Sequence, residues 1–531
     1  MIKLVFLRLS AEVRKTFTQT NFFKSKLYIS FIALLIIALP FPALSETSVN
    51  VNIDSWVYPA LERLASLRLI ESGLINTKPL TRKEVARLIN EAMSLEAEGE
   101  TGQEVDNTTL FLLKKLKKEF KDELNNLGTI DDFKSKSFIK PINEFKIGYH
   151  LLDGNYTIYN NDGIRYGDNH NASLEVSGYS DLFNTISLYY QPILEYNQNL
   201  DDEENTTVNL KKGYAKLNLS NVEFEIGRDS MWWGPGYHGS LLMTNNAEPF
   251  DMLKISNPRP ILLPWIFRYL GPFKVTLMLS KLEKDRPIPE PYLYGLRLNI
   301  KPLPTLEMGL SHIAIFGGEG RELSFTETLE VLYSNRNLSG KQESNQQFAF
   351  DFSFWVHDIN HKTKLLRSIK FYAEIGAEDT GYPPDHRAHL VGLLFKDLFL
   401  TGKTDLRIEY VHTSPGQGPD FWYFHSYYPA FYIGRVFGHH VGSNAQNIFA
   451  RVTSYLNNNL IAGIDIDMET RGLSKTVQEK RYQFGVDVSY NVTDMIEIRG
   501  RYGFERVNNL NFVDGVEKDY HFFGGELITR F

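Results

Sequence analysis

The stretch Arg481–Tyr490, "RYQFGVDVSY", decides the fold. Tyr482, Phe484, Val486, Val488 and Tyr490 fall on one side of an extended chain, and Gln483, Gly485, Asp487 and Ser489 on the other. Side chains alternate with a period of two only along a strand. The same alternation recurs throughout the chain from about residue 142. "NLIAGIDIDMET" (459–470) sets Ile464, Ile466 and Met468 against Gly463, Asp465 and Asp467, and "YGLRLNI" (294–300) sets Leu296, Leu298 and Ile300 against Arg297 and Asn299. "FAFDFSFWV" (348–356) puts four phenylalanines opposite Asp351 and Ser353. "MIEIRGRYGF" (495–504) puts Ile496, Ile498, Tyr502 and Phe504 opposite Glu497, Arg499 and Arg501.

Half-buried strands of a soluble sandwich share this pattern. Three features favour a membrane barrel. The polar faces carry full charges strand after strand, which a water-filled lumen accepts and a sandwich core does not. Tyrosine or phenylalanine closes many apolar faces, as Tyr482 and Tyr490 do here, in the manner of aromatic girdles. The chain ends in "YHFFGGELITRF", where Phe523, Leu527, Thr529 and Phe531 share one face. About 18 antiparallel strands fit between residues 142 and 531. The expected fold class is mainly β: an outer-membrane β-barrel over 136–531 with a small N-terminal helical domain over 46–135. A secreted multi-sheet lectin or glycosidase is the competing architecture.

The first 45 residues read as a signal peptide. Lys24 and Lys26 precede the apolar run "LYISFIALLIIAL" (27–39), and "ALS" lies just before Glu46. Their removal deletes six cationic residues and one anionic, taking the net charge from −7 to −12. An acidic exported chain is a poor partner for nucleic acid. None of the 531 residues is cysteine, which excludes disulfides, thiolate metal sites and thiol nucleophiles. Residues 54–127 change to helical spacing. Val57, Leu61, Leu64 and Leu67 fall on one face, Thr81 and Glu84 form a capping box ahead of Val85, Leu88 and Ile89, and Leu113, Leu116, Phe120, Leu124 and Leu127 make a third stripe. Three short helices are expected.

Chemistry is harder to find. His439 and His440 are adjacent, which on a strand points them apart, and they belong to neither a His-x-His nor a His-x-x-x-His motif. The expectation is no metal and no cofactor. "GGEGRE" (317–322) lacks the Lys-Ser/Thr of a phosphate loop, and no Gly-x-Ser-x-Gly elbow occurs. Asp465, Asp467 and Glu469 on one strand face, and Glu223 and Glu225 on another, are what any lumenal face presents, so no catalytic residues are assigned. Aromatics in segments rich in glycine, proline or histidine stand out instead. These are Trp232, Trp233, Tyr237 and His238 in "GRDSMWWGPGYHGSLL" (227–242), and Trp422, Tyr423, Tyr427 and Tyr428 in the segment 416–447. Sugar rings offer apolar C–H faces to such flat side chains, so these eight residues are the candidate polysaccharide site. The tryptophan pair reads as a non-strand insertion after the strand at 221–229.

Three segments resemble one family. Gly227–Ser256, beginning "GRDSMWWGPGYHG", looks like the signature stretch of the Wzi-type capsule assembly proteins. Leu61–Ala92 is similar to the helical region that precedes their barrel, and Phe437–Val452, "FGHHVGSNAQNIFARV", to a late loop-to-strand segment. The resemblance implies an 18-stranded outer-membrane barrel with a periplasmic helical bundle. It also implies a non-enzymatic lectin that helps hold or assemble capsular or other surface polysaccharide at the cell surface. Outer-membrane lipids, and periplasmic or capsule-export proteins met through the helical domain, are the other implied partners. A porin-like transport pore and a barrel hydrolase are the alternatives.

Overall fold

The computed structural model describes residues 47–98, 105–127, 137–183, 185–200, 203–333, 338–378, 386–414 and 422–531. The signal-peptide reading of residues 1–45 lies outside them. Alternation along the strands dictates the architecture directly. Eighteen long strands, from Phe138–Asp153 to Glu517–Arg530, pair antiparallel with their neighbours. The last strand closes on the first, with Phe145 opposite Thr529 and Leu151 opposite Phe523. Closure leaves no ladder edge unpaired, which a hydrocarbon surrounding demands.

The two faces carry the expected side chains. Ile464, Ile466 and Met468 are exposed on the outside, and Asp465, Asp467 and Glu469 are buried inside. Phe348, Phe350 and Phe354 point outward, and Gln347, Asp351 and Ser353 inward. Tyr482 and Tyr490 lie outside at the two ends of their strand, and Phe523, Leu527 and Phe531 are exposed on the last. An apolar exterior of this kind is solvated by lipid rather than water.

An even strand number brings both ends of the barrel chain to the same rim, here called the near rim. The helical head fills it. Its helices are α1 (Val57–Ser66), α2 (Arg82–Glu98), α3 (Asn107–Glu119) and α4 (Lys121–Asn126). The head core is built on Leu61, Leu64, Val85, Leu88, Ile89, Leu116 and Phe120. Thr81 caps α2 by accepting the Glu84 N–H at 3.2 Å, but the Glu84 carboxylate turns to Arg87 instead of closing the box. Asp106 caps α3 through the Thr109 N–H. The third expected helix is two, because Phe120 leaves helical geometry (φ −106°, ψ 24°) as its ring seats against the Arg82 guanidinium.

The head is not merely appended. Its extended segment 73–78 threads into the lumen. There Glu307 on the wall accepts the backbone N–H groups of Ile75 and Asn76 at 3.0 Å each, and Thr77 is held by Asn299 and Arg297. From the opposite rim, the loop at 230–249 and the loop residues 422–444 fold inward and meet it. Together they enclose a large buried cluster that includes Trp233, Leu241, Met278, Ile313, Tyr372, Leu390, Trp422 and Phe437. The lumen is therefore filled from both ends.

Candidate functional site

The inward loop begins where the strand Val222–Asp229 ends. Trp232 and Trp233 do not form an irregular insertion as expected. They make a two-residue strand against the head, with Thr77 opposite Trp233 and Lys78 opposite Trp232. The reason is local. Isolated backbone groups inside a barrel must find partners, and the loop finds them in the head segment and in itself. Gly234 N–H donates to Asn76 at 3.0 Å, and Trp233 N–H to Met243 at 3.0 Å. Gly234 sits at φ 139°, a conformation that favours glycine. The Trp232 indole donates to the Gly236 carbonyl at 3.1 Å, and Lys78 lies over its ring at 5.4 Å. Trp233 is 1% exposed, and its indole packs so closely on Gly295 that a Cβ there would stand 2.7 Å from Cη2.

Trp422 uses the same device against Gly376, where a Cβ would lie 2.4 Å from its Cη2. Glycines on the wall thus make room for tryptophans on the loops. Tyr423 donates its hydroxyl to the Leu241 carbonyl and accepts the His439 N–H at 2.7 Å, tying the two loops together. Tyr428 is buried and donates to the Gly317 carbonyl at 3.0 Å. Trp233, Trp422, Tyr423 and Tyr428 share one core, and Trp232 is buried beside it.

Three of the eight candidate residues keep an accessible face. Tyr237 is 41% exposed, with Arg407 at 4.5 Å from its ring centroid. Tyr427 is 39% exposed under the guanidinium of Arg321 at 4.2 Å, and Arg321 also pairs with Glu343 at 3.2 Å. Phe424, at 55% exposure, lies three residues from Tyr427 in the same loop. His238 is partly accessible, stacked on Phe449 at 3.9 Å, with Nε2 at 2.8 Å from Asp467. Burial works against its protonation, but Asp467 outweighs burial and holds its pKa above the usual histidine value.

His439 and His440 lie in a loop, not on a strand, and their rings stand 4.4 Å apart rather than pointing away. Burial, and then the neighbouring His238, hold His440 below the ordinary histidine pKa. His439 is pushed lower still by burial and by His440.

Four wall carboxylates carry no sequence signal that marks their role. Each accepts backbone N–H groups from an inserted segment. Glu307 takes Ile75 and Asn76, Glu374 takes Leu241 at 3.0 Å, Glu378 takes Tyr423 at 2.8 Å, and Glu409 takes Tyr237 and His238 at 2.6 and 2.8 Å. Each occupies an inward position of an alternating strand. That much is readable from the alternation, but the identity of the partner is not.

Closed antiparallel strands, an apolar lipid-facing exterior and a lumen occupied by its own head and loops define the class: a plugged outer-membrane β-barrel. Within that class, the chain belongs to the family of the capsule assembly protein Wzi, whose profile matches residues 146–521. Wzi itself, an outer membrane protein involved in group 1 capsule assembly in Escherichia coli and a carbohydrate-binding β-barrel, has a structure similar to this one. The TM-score is 0.68 at 16% identity, over 91% of this chain and 100% of that one. At that identity the likeness carries the fold. A Klebsiella pneumoniae relative, an uncharacterized 55.8 kDa protein in the cps region, is 29% identical over 190 residues, or 35% of this chain. That match spans only 36% of the relative's own length.

Proposed function

We propose that this protein binds surface polysaccharide, capsular or of another kind, and helps to attach or assemble it at the cell surface. In this reading the near rim and the helical head (46–135) face the periplasm, and the barrel (136–531) presents its opposite rim to the exterior. The observation that carries the proposal is the filling of the lumen from both ends, which suits a surface-binding barrel better than a pore. Family membership supports it, and so does what Wzi is said to bind. The head leaves charged helix faces, including Lys114, Lys117 and Lys121, for periplasmic or export partners, and outer-membrane lipids solvate the apolar band.

Glycan contact falls to the accessible aromatic face of Tyr427 with Phe424, Arg321 and Glu343. Such a group offers a flat C–H acceptor beside a cation and a carboxylate, the two polar partners that sugar hydroxyls need. Tyr237 and His238 are a second, interior contact. The five buried aromatics hold the loops that carry this surface. No role in catalysis is proposed.

The test is retention of polysaccharide by cells. Deletion of the protein releases polysaccharide into the medium, and a Tyr427→Ala/Arg321→Ala barrel restored to the outer membrane retains less than wild type. Unchanged retention after deletion would remove the proposal. The pore reading is tested separately by planar-bilayer conductance, where steady open channels from wild-type protein would revive it.

A further inference from the structure

We propose that His238, His440 and Asp467 form a binding site for a divalent transition-metal ion of the zinc type, at the seam between the two inward loops and the barrel wall. One ligand atom from each of these residues lies within 4.8 Å of the others. They come from three separate pieces of chain: the loop at 230–249, the loop residues 422–444, and the strand Leu460–Arg471. Tetrahedral ligands about 2.0–2.2 Å from zinc stand about 3.4 Å from one another, so side-chain adjustments of about an ångström close the set.

An independent observation also points to an ion. The His440 side chain is fully buried, and neither of its ring nitrogens makes a hydrogen bond. Nε2 lies 3.4 Å from Glu469 Oε1, which is equally without a hydrogen-bond partner. A buried imidazole left unsatisfied is destabilising, and a cation bound to it removes that penalty.

The surroundings hold the donors in place. Tyr159 stacks on His440 at 3.9 Å, Phe449 stacks on His238 at 3.9 Å, and Asn447 donates to the far oxygen of Asp467. Orienting partners of this kind accompany metal ligands generally. Asp467, Glu469 and Glu409 face the pair of imidazoles, against the guanidinium groups of Arg471 and Arg481. Arg471 is already engaged by Glu469 at 2.7 Å and by the Tyr159 hydroxyl at 2.9 Å.

Two imidazoles and a carboxylate suit zinc and its first-row neighbours. They do not suit calcium, which takes six to eight oxygen ligands. Binding displaces the proton that His238 shares with Asp467, and solvent completes the coordination. The His238 side chain is 16% exposed, which leaves an entry path. The bound ion joins both loops to the wall at one point. This assignment does not depend on glycan binding.

The experiment uses full-length folded protein in detergent, treated with EDTA and titrated with zinc chloride by calorimetry, with cobalt(II) absorption as a report of ligand geometry. Wild type is expected to bind one ion per chain and to show the visible bands of low-symmetry cobalt. Asp467→Asn and His440→Gln, which keep side-chain volume, are expected to lose affinity by about tenfold or more. His361→Ala, at the near rim, should bind as wild type. Heat-modifiable migration on gels verifies that each variant is a folded barrel. Absence of stoichiometric binding by folded wild type overturns the proposal, as does equal affinity in Asp467→Asn and His440→Gln.

Discussion

The two fillings of this lumen are held by opposite means. At the near rim the head meets the wall mainly through charge. Glu62 on α1 pairs with Lys370 at 3.0 Å and with Arg407, and Arg63 reaches Asp405 at 3.8 Å and donates to the Gly402 carbonyl at 2.5 Å. Asn50 donates to Glu225 and Asp229, and Lys216 of the wall donates to the Asn50 side chain and, at 3.2 Å, to the Ser48 carbonyl. Toward the opposite rim the loops meet Met278, Leu293, Ile313, Ala349, Tyr372 and Leu390 of the wall in a continuous apolar core. One set of strands thus changes its inward chemistry along its length. Charged pairs carry orientation and register but modest net free energy, whereas aromatic burial supplies stability. The comparison implies that the loops lock the structure and the head is positioned on it.

Loss of a buried tryptophan is the severest trial of that division. Trp233→Ala empties the space opposite Gly295 and removes side-chain packing between loop and head strand, at an expected cost of about 3–5 kcal/mol. Thermal unfolding of the full barrel in detergent measures it. A loss below about 1 kcal/mol would mean that the loop core is dispensable and the comparison is wrong.

Glu62→Gln probes the other filling and is expected to cost less, about 1.5–3 kcal/mol, the worth of hydrogen bonds between charged groups. Here the effect depends on pH. Burial alone would raise the Glu62 pKa, but Arg407, Lys370 and Lys396 outweigh it and hold the carboxyl well below the usual range. A group whose folded pKa is depressed stabilises fully above its unfolded value, about 4.3 for glutamate, and loses that contribution as pH falls through the folded value. The stability difference between wild type and Glu62→Gln should therefore be constant from pH 7 to about 5 and shrink below about 4. Hydrogen exchange of α1 amides follows the same docking locally. A difference that persists unchanged at pH 3 would show that Glu62 acts through packing and not charge.

The contrast also explains what is legible in the sequence. The wall has a strict period of two, and each strand announces its own faces. Alternation alone therefore places Asp465, Asp467 and Glu469 inside and Ile464, Ile466 and Met468 outside, as the barrel has them. The head stripes, Leu61 with Leu64 and Val85 with Leu88, are equally local. The filling is not local. Thr77 finds Trp233 across 156 positions of chain, and no periodicity marks a two-residue strand. Glycine and proline around Trp232 read as irregularity, although Gly234 is there to turn the chain so that it can pair. Adjacency separates the side chains of His439 and His440 only on a strand, and the loop brings their rings together. Residues such as Glu409 and Glu374 are visible as inward acids, but the backbone groups they receive come from loops whose path depends on the closed barrel.

The accessible rim provides the smallest and most selective effect. If stability resides in the loop core and recognition in what that core displays, Tyr427→Ala should leave the unfolding temperature unchanged while weakening glycan binding by about two- to fivefold, the worth of one exposed cation–π contact. Arg321→Ala should act in the same direction, because its guanidinium lies over Tyr427 at 4.2 Å. The paired variant should add little beyond either single change, since each removes the same stacked unit. Calorimetric titration of purified barrel with fragments of the cell's own surface polysaccharide measures all three. A Tyr427→Ala barrel that binds as wild type, beside a folded Trp233→Ala barrel that has lost binding, would move recognition from the rim into the core and break the separation between display and support.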